Sequence, residues 1–163
     1  SNGCTITLTL TRIEGGTRAV FVKKIEEREM CPICLAQDTL IDTPSGMVAV
    51  QDMKKGMLVW TTNSAGERVE AIVLETSKTP VPPTHQMVHV VLEDGRELFA
   101  SPGHPTADGR TVGELSVGDV LDGSTIVRAE SVSYAEGYTY DILPSGETGF
   151  YWANGILVGS TLK

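Results

Sequence analysis

The chain has 163 residues, of which 40% are hydrophobic, and this length is enough for one domain with its own core. Its 21 acidic and 13 basic residues give a net charge of −8, which argues against nucleic-acid partners because phosphate backbones are bound by clustered Lys and Arg. The longest apolar runs fall well short of the roughly 20 residues that a membrane-spanning helix needs, so we also expect no membrane partner.

The first predicted elements form a β-hairpin. Residues 4–13 alternate polar and apolar side chains with period two, which is the pattern of a half-buried strand. The Glu-Gly-Gly-Thr sequence at residues 14–17 predicts a turn, and residues 18–25 predict the returning strand. A short charged connector follows at residues 26–30. We therefore predict that residues 1–33 are a hairpin and linker ahead of a separate domain at residues 34–163.

The second predicted unit is a compact all-β domain. After residue 34 the chain is a series of short β-branched runs, punctuated by Gly, Pro, Asn and Asp at close intervals. No window of a dozen residues holds a clear helical period. The predicted strands cover residues 39–41, 47–50, 57–61, 70–75, 87–92, 97–100, 120–121, 125–132, 139–143, 149–152 and 156–158.

A nine-residue motif occurs twice in this domain. Residues 50–58 (Val-Gln-Asp-Met-Lys-Lys-Gly-Met-Leu) and 112–120 (Val-Gly-Glu-Leu-Ser-Val-Gly-Asp-Val) share the pattern Val-x-acid-apolar-x-x-Gly-x-apolar. Duplication predicts that the two copies have the same local conformation in two similar β-subdomains. The first copy has Met57 where the second has Asp119. We expect that difference to change a turn contact and not the chemistry.

Three blocks of sequence identify a family. Cys34 opens a short apolar segment that ends in Thr-Pro-Ser-Gly, Ser101-Pro-Gly-His104 follows, and the last block is Tyr140-Asp-Ile-Leu with Tyr-Trp-Ala-Asn-Gly-Ile-Leu-Val at residues 151–158. In this order and over this length, the blocks resemble the Hint family, the shared fold of inteins and hedgehog autoprocessing domains. The resemblance covers residues 34–163. It implies an all-β, horseshoe-like fold with a pseudo-twofold repeat, and it makes residues 1–33 comparable to the segment that precedes an intein.

The resemblance also implies a reaction. In the family the cysteine attacks the peptide bond on its N-terminal side, which is here the bond between Ile33 and Cys34, and a thioester results. His104 is then the general acid for the departing amine, since Ser-x-x-His matches the family's hydroxyl-x-x-His block. Ser101, where most members have Thr, would hydrogen-bond the scissile region or the oxyanion. Asp141 stands where the family often carries an acid, and would orient the cysteine or accept a proton from an incoming nucleophile.

The end of the domain departs from the intein pattern. Inteins end in Val-His-Asn, and cyclisation of the Asn cuts the downstream bond. Here Val158 is followed by Gly159 and Ser160, and Asn154 lies six positions too early to substitute. The departure predicts cleavage on the N-terminal side without protein splicing. The substrate would be the chain's own N-terminal flank, the acceptor water or a small nucleophile, and the protein a monomer.

Other interpretations remain open. The segment 101–104 fits a plain loop, Asp141 fits a strand-edge carboxylate, and the whole domain fits a catalytically degenerate Hint module that serves structure or interaction. A Cys31–Cys34 disulfide would mask the nucleophile. A zinc site built on this pair, with His85 and His89, is disfavoured because residues four apart in a strand lie about 13 Å apart. We therefore assign no metal and no cofactor.

Overall fold

The computed structural model describes residues 9–12, 19–22 and 34–162. Across these ranges the elements are thirteen β-strands and two single-turn 3₁₀ helices, without an α-helix, so the predicted all-β class is confirmed. The strands are Thr9–Arg12 (β1), Ala19–Val22 (β2), Leu40–Thr43 (β3), Gly46–Ala49 (β4), Leu58–Thr62 (β5), Arg68–Pro80 (β6), Gln86–Leu92 (β7), Glu97–Ala100 (β8), Val120–Leu121 (β9), Ser124–Ser133 (β10), Tyr138–Pro144 (β11), Tyr151–Ala153 (β12) and Ile156–Val158 (β13).

The N-terminal strands pair as predicted. Strands β1 and β2 are antiparallel, with Thr9 opposite Val22 and Arg12 opposite Ala19. The outer parts of the two predicted strands, the turn at residues 14–17 and the connector at residues 26–30 lie outside the described residues.

Three further sheets build the domain. Their strand orders are β8-β7-β10-β9, β11-β6-β5 and β13-β12-β3-β4. Strands β6 and β10 are 13 and 10 residues long, and each pairs with the short strand before it at its start and with another strand over the rest of its length. This change of partner lets each long strand curl from one sheet edge to the next. The matched arrangement agrees with the predicted repeat.

The two motif copies adopt the same local conformation. Each begins with a 3₁₀ helix, Val50–Asp52 in the first copy and Val112–Glu114 in the second, and in each the next residue donates its N–H to the carbonyl of the initial valine at 3.2 Å. Gly56 and Gly118 then take positive φ angles of 90° and 98°, which a residue without Cβ adopts at little cost. The predicted local equivalence of the copies is confirmed.

The difference between the copies falls on a turn contact, as predicted. In the second copy the carboxylate of Asp119 accepts the N–H of Ser116 at 2.9 Å. In the first copy the sulfur of Met57 lies 3.1 Å from the N–H of Lys54. A thioether is a weak acceptor, so the first turn keeps its shape with a poorer hydrogen bond.

One cluster of buried apolar side chains joins the sheets. It includes Leu35, Ile41, Val59, Val90 and Ile126, all of them fully buried. Burial of apolar surface stabilises by about 25 cal/mol per Å², so this cluster fixes the strands that flank residue 35. Of the helices in the described ranges, neither is long and apolar enough to cross a membrane.

Candidate active site

The segment that carries Cys34 lies between two of the sheets. On one side Leu35 exchanges two main-chain hydrogen bonds with Tyr140 of β11, at 2.7 and 2.9 Å. On the other side the N–H of Ser101, just after β8, donates to the carbonyl of Cys34 at 2.9 Å. Leu35 is therefore a bridge residue for both neighbours, and the main chain around the candidate nucleophile has a fixed position.

The thiol of Cys34 faces the interior. The residue is only 4% exposed, and its Sγ lies 3.7 Å from the hydroxyl oxygen of Ser77 in β6. Ser77 is the residue opposite Asp141 in the pairing of β6 with β11. Burial raises the pKa of Tyr151 well above its usual value, and the charges of Asp141 and then Cys34 add to the effect. Cys34, Tyr151 and Asp141 thus share one buried electrostatic environment.

Asp141 lies inside β11 and is 1% exposed. Its Oδ1 accepts hydrogen bonds from the Tyr151 hydroxyl and, at 2.8 Å, from the N–H of Ile142. Its Oδ2 accepts from the N–H of Thr161 at 2.7 Å and from the Thr161 hydroxyl. The carboxylate is therefore a buried junction that ties the C-terminal segment to β11, and not a group at a strand edge.

Asp141→Asn is expected to lower the free energy of unfolding by about 1–3 kcal/mol, the usual cost of a buried, unsatisfied polar group. An amide has one accepting oxygen, so in either orientation its NH₂ group faces a backbone N–H, that of Ile142 or that of Thr161. Urea unfolding measures the loss. Asp119→Asn is the matched control because that residue is only partly buried and its amide oxygen still accepts from Ser116. Equal losses in the two variants would contradict the role assigned to Asp141.

The segment 101–104 forms a buried turn beside Cys34. Ser101 and His104 are both fully buried, and the N–H of His104 donates to the carbonyl of Ser101 at 3.0 Å. The carbonyl of His104 accepts the N–H of Val112 at 2.9 Å, where the second 3₁₀ helix begins. The fold therefore brings Ser101 to Cys34 and fixes His104 on the same turn. The position of Ile33 lies outside the described residues.

Two glycines allow close packing against this turn. A Cβ on Gly113 would lie 2.9 Å from the Cβ of Pro102 and 3.0 Å from its carbonyl oxygen, and a Cβ on Gly159 would lie 3.3 Å from the ring of Pro105. Both glycines also donate their N–H groups to the carbonyls of those prolines, at 2.7 and 3.0 Å. The turn that carries His104 is therefore held from two sides by main-chain contacts.

His85 joins the site, a contact that the sequence analysis missed. Its Nε2 lies 3.1 Å from the Ser101 hydroxyl. The signal was present, because antiparallel pairing of β7 with β8 sets Val88 opposite Ala100 and so brings the residues before β7 close to those after β8. The sequence pattern favours His104 as the general acid and assigns His85 no role in the site.

The two histidines considered for zinc, His85 and His89, have different partners. His89 stacks on Phe99 with ring centroids 4.0 Å apart and contacts Glu97 at 2.7 Å, whereas His85 contacts Ser101. In the part of the chain that the structure describes, no group of three or more His, Cys, Asp or Glu side chains is arranged to hold a metal ion. Cys31 lies outside that part.

A surface groove of about 310 Å³ lies elsewhere in the domain. It shares no lining residue with the surroundings of Cys34 described above. None of the candidate site residues lines this groove, so we do not assign the chemistry to it. Its lining includes Thr62, Ser64, Asp108, Asp122, Thr148 and Phe150.

Comparisons with solved structures agree with this architecture. The chain is similar to an intein-like domain from Clostridium thermocellum, with a TM-score of 0.69 and 24% identity over 78% of this chain and 99% of that one. It is similar to the DnaB intein from Synechocystis sp. PCC 6803, with a TM-score of 0.68 and 20% identity over 80% and 100%. It is also similar to the gp41-1 intein, with a TM-score of 0.62 and 27% identity over 78% and 98%. These likenesses confirm the predicted fold.

The family follows from the sequence profile. A search of curated proteins gave no match, but the Hint domain profile matches residues 33–119, which is more than half of the chain. That match spans Cys34, the first motif copy, the segment 101–104 and all but the last residue of the second copy. It supports autoprocessing as the general activity, and the chain belongs to the Hint domain family.

Proposed function

We propose that this chain cleaves itself at the peptide bond between Ile33 and Cys34. The thiol of Cys34 attacks the carbonyl carbon of Ile33, a C–S bond forms, and the C–N bond breaks. The nitrogen keeps its proton and gains one in place of the proton lost from sulfur, so the step is an isomerisation from amide to thioester. Water or a small nucleophile then releases residues 1–33. The reaction is intramolecular, so a monomer suffices.

One observation carries this proposal, the way the main chain of Cys34 is held. Its carbonyl accepts from Ser101, and the adjacent Leu35 is paired with Tyr140, so the two sheets fix the residue from both sides. Attack on an amide carbonyl has a high barrier, and a nucleophile that is held in alignment with its target carbonyl lowers that barrier. A free loop would not supply that alignment.

Ser101 and His104 supply the polar chemistry. The Ser101 hydroxyl would donate to the oxyanion that develops on the carbonyl of Ile33. His104 would donate a proton to the departing nitrogen of Cys34. Both residues belong to one turn, and the N–H of its first residue, Ser101, donates a hydrogen bond to the carbonyl of Cys34. This contact supports the action of both residues on the same peptide bond.

Splicing is not part of the proposed function. The residues after β13 are Gly159 and Ser160, and neither has a side-chain amide that could cyclise. Asn154 already serves the fold, because its side chain accepts from Leu40 at 2.8 Å and donates to Glu97 at 3.0 Å. It also forms the turn between β12 and β13 with φ near 52°. We expect the bond after residue 160 to stay intact.

The test is incubation of the whole chain with dithiothreitol or hydroxylamine, followed by mass spectrometry. Either nucleophile should trap the thioester faster than water does, and give fragments 1–33 and 34–163. No cut should appear near residues 159–160. A chain that stays whole under strong reduction with excess hydroxylamine would instead favour the degenerate module.

A further inference from the structure

We propose that His85 is a positioning residue for this cleavage. Its Nε2–H donates to the Ser101 hydroxyl oxygen and so directs the single hydroxyl proton toward the carbonyl of Ile33. The inference rests on the proposed function and adds to it a residue outside the three blocks of sequence. The following contacts support it.

The first support is the chain of contacts from His85 to the nucleophile. The ring Nε2 of His85 lies 3.1 Å from the Ser101 hydroxyl, and the Ser101 N–H donates to the carbonyl of Cys34 at 2.9 Å. Ser101 is fully buried, so bulk water does not compete for its hydroxyl. A hydroxyl proton rotates to suit its partners, and a donor on the oxygen leaves that proton free to point elsewhere.

The second support is that His85 is itself held firmly. Its main-chain N–H donates to the carbonyl of Pro82 at 3.0 Å, and its carbonyl accepts the main-chain N–H of Tyr134 at 3.1 Å. The Tyr134 ring meets the imidazole edge-on, with centroids 6.1 Å apart and planes at 83°. The two hydrogen bonds fix the main chain of His85, and Tyr134 packs against one edge of the ring that reaches Ser101.

The third support is that Tyr134 ties this ring to the nucleophile's own segment. The Tyr134 hydroxyl accepts the N–H of Gln37 at 2.9 Å and donates to the carbonyl of Tyr138. Gln37 follows Cys34 by three residues, and Tyr134 packs with Ala36 in a small buried cluster. Tyr134 therefore contacts both the imidazole of His85 and the backbone segment that begins at Cys34.

The charge state of the ring fits the assigned donor. Burial lowers the pKa of His85, so the ring is neutral at pH 7 and carries one N–H. That N–H on Nε2 is enough to donate to Ser101. An uncharged donor places no positive charge beside the scissile bond, so we assign His85 to positioning and leave proton transfer to His104.

The test compares two variants at residue 85 whose side chains have similar length. His85→Gln keeps an N–H donor near the position of Nε2, and His85→Met fills similar space without one. Dithiothreitol-dependent cleavage should be about 10-fold slower in His85→Met, the rate equivalent of one neutral hydrogen bond. His85→Gln should retain most of the wild-type rate. His89→Gln, whose histidine contacts Glu97 and not Ser101, should leave the rate unchanged.

A double-mutant cycle separates positioning through Ser101 from a structural role. In a Ser101→Ala background, His85→Met and His85→Gln should cleave at the same rate, because the group they position has gone. The proposal would be overturned if the rate losses of His85→Met and Ser101→Ala multiply in the double variant. It would also be overturned if His85→Met and His85→Gln cleave at equal rates when Ser101 is present. If His85→Met does not unfold cooperatively, His85→Asn serves instead, since its amide is too short to reach Ser101.

The same assay distinguishes this inference from the proposed function. A wild-type chain that does not cleave would overturn both. A wild-type chain that cleaves while His85→Met matches it would overturn only the role of His85.

Discussion

Replacing Cys34 with alanine is expected to abolish cleavage between residues 33 and 34 in dithiothreitol and in hydroxylamine. An alanine has no atom that can accept the acyl group, so no thioester forms and the added nucleophile has nothing to intercept. Mass spectrometry of the intact chain measures the outcome, with the wild-type chain incubated beside it. The substitution removes a single heavy atom and leaves the main-chain hydrogen bonds of residues 34 and 35 in place, so the fold should survive.

The two other cysteines provide the matched controls. Cys4→Ser and Cys31→Ser each remove a thiol and should preserve cleavage, because neither cysteine directly follows the scissile bond. Cys31→Ser should increase the rate if a Cys31–Cys34 disulfide blocks the thiolate in the wild-type chain. Residual cleavage in Cys34→Ala at the same bond would point to direct attack by the added nucleophile and would contradict the proposed thioester.

Much of the fold could be predicted from local sequence patterns. Strands at residues 97–100, 120–121 and 156–158 have the predicted bounds, because each is a short apolar run closed by turn residues. The two motif copies share their 3₁₀ helices and positive-φ glycines for the same reason. Local turn chemistry decides such features, so a sequence alone contains them.

Several strand bounds were wrong, and two of them show that tertiary contacts or backbone angles decided the outcome. The prediction for β6 stopped at residue 75, but the strand continues to Pro80. Its last residues are polar and resemble a loop, yet β11 pairs with them through the backbone. The prediction for β12 began at Gly149, which has a φ of 73°. That angle is outside the strand region, so the strand begins at Tyr151.

The candidate site divides in the same way. Cys34, Ser101 and His104 were found from their spacing in a family motif, and the fold brings Ser101 to Cys34. The hydrogen bonds of Asp141 with Tyr151 and Thr161 join residues 10 and 20 positions apart. No local sequence pattern predicts those contacts. His85 could have been found, but only by combining the predicted β7–β8 pairing with the position of Ser101.

His104→Ala is expected to slow cleavage by about 10²–10⁴-fold, the usual span for the loss of a general acid or base. The departing nitrogen of Cys34 is a poor leaving group unless it is protonated as the C–N bond breaks. His104 is fully buried on a turn that two glycines hold in place, so another side chain would not easily take over its role. The rate of formation of fragment 34–163, measured below the unfolding temperature of each variant, gives the comparison.

His104→Gln is the variant that separates proton transfer from hydrogen bonding. An amide has nearly the reach of the imidazole and can donate a hydrogen bond, but it does not release a proton near neutral pH. If His104 is the general acid, Gln should be about as slow as Ala. If His104 only holds the turn, Gln should cleave near the wild-type rate. His89→Ala removes a histidine that stacks on Phe99 away from Ser101, and it should cleave normally.

The dependence of the rate on dithiothreitol identifies the step that needs His104. In the wild-type chain the cleavage rate should rise with dithiothreitol and then level off, because formation of the thioester becomes limiting. Loss of a proton donor to the departing amine slows that formation and leaves attack of the added thiol unchanged. His104→Ala should therefore level off at a lower rate and at a lower dithiothreitol concentration. An unchanged plateau with slower release at low dithiothreitol would instead assign His104 to the opening of the thioester.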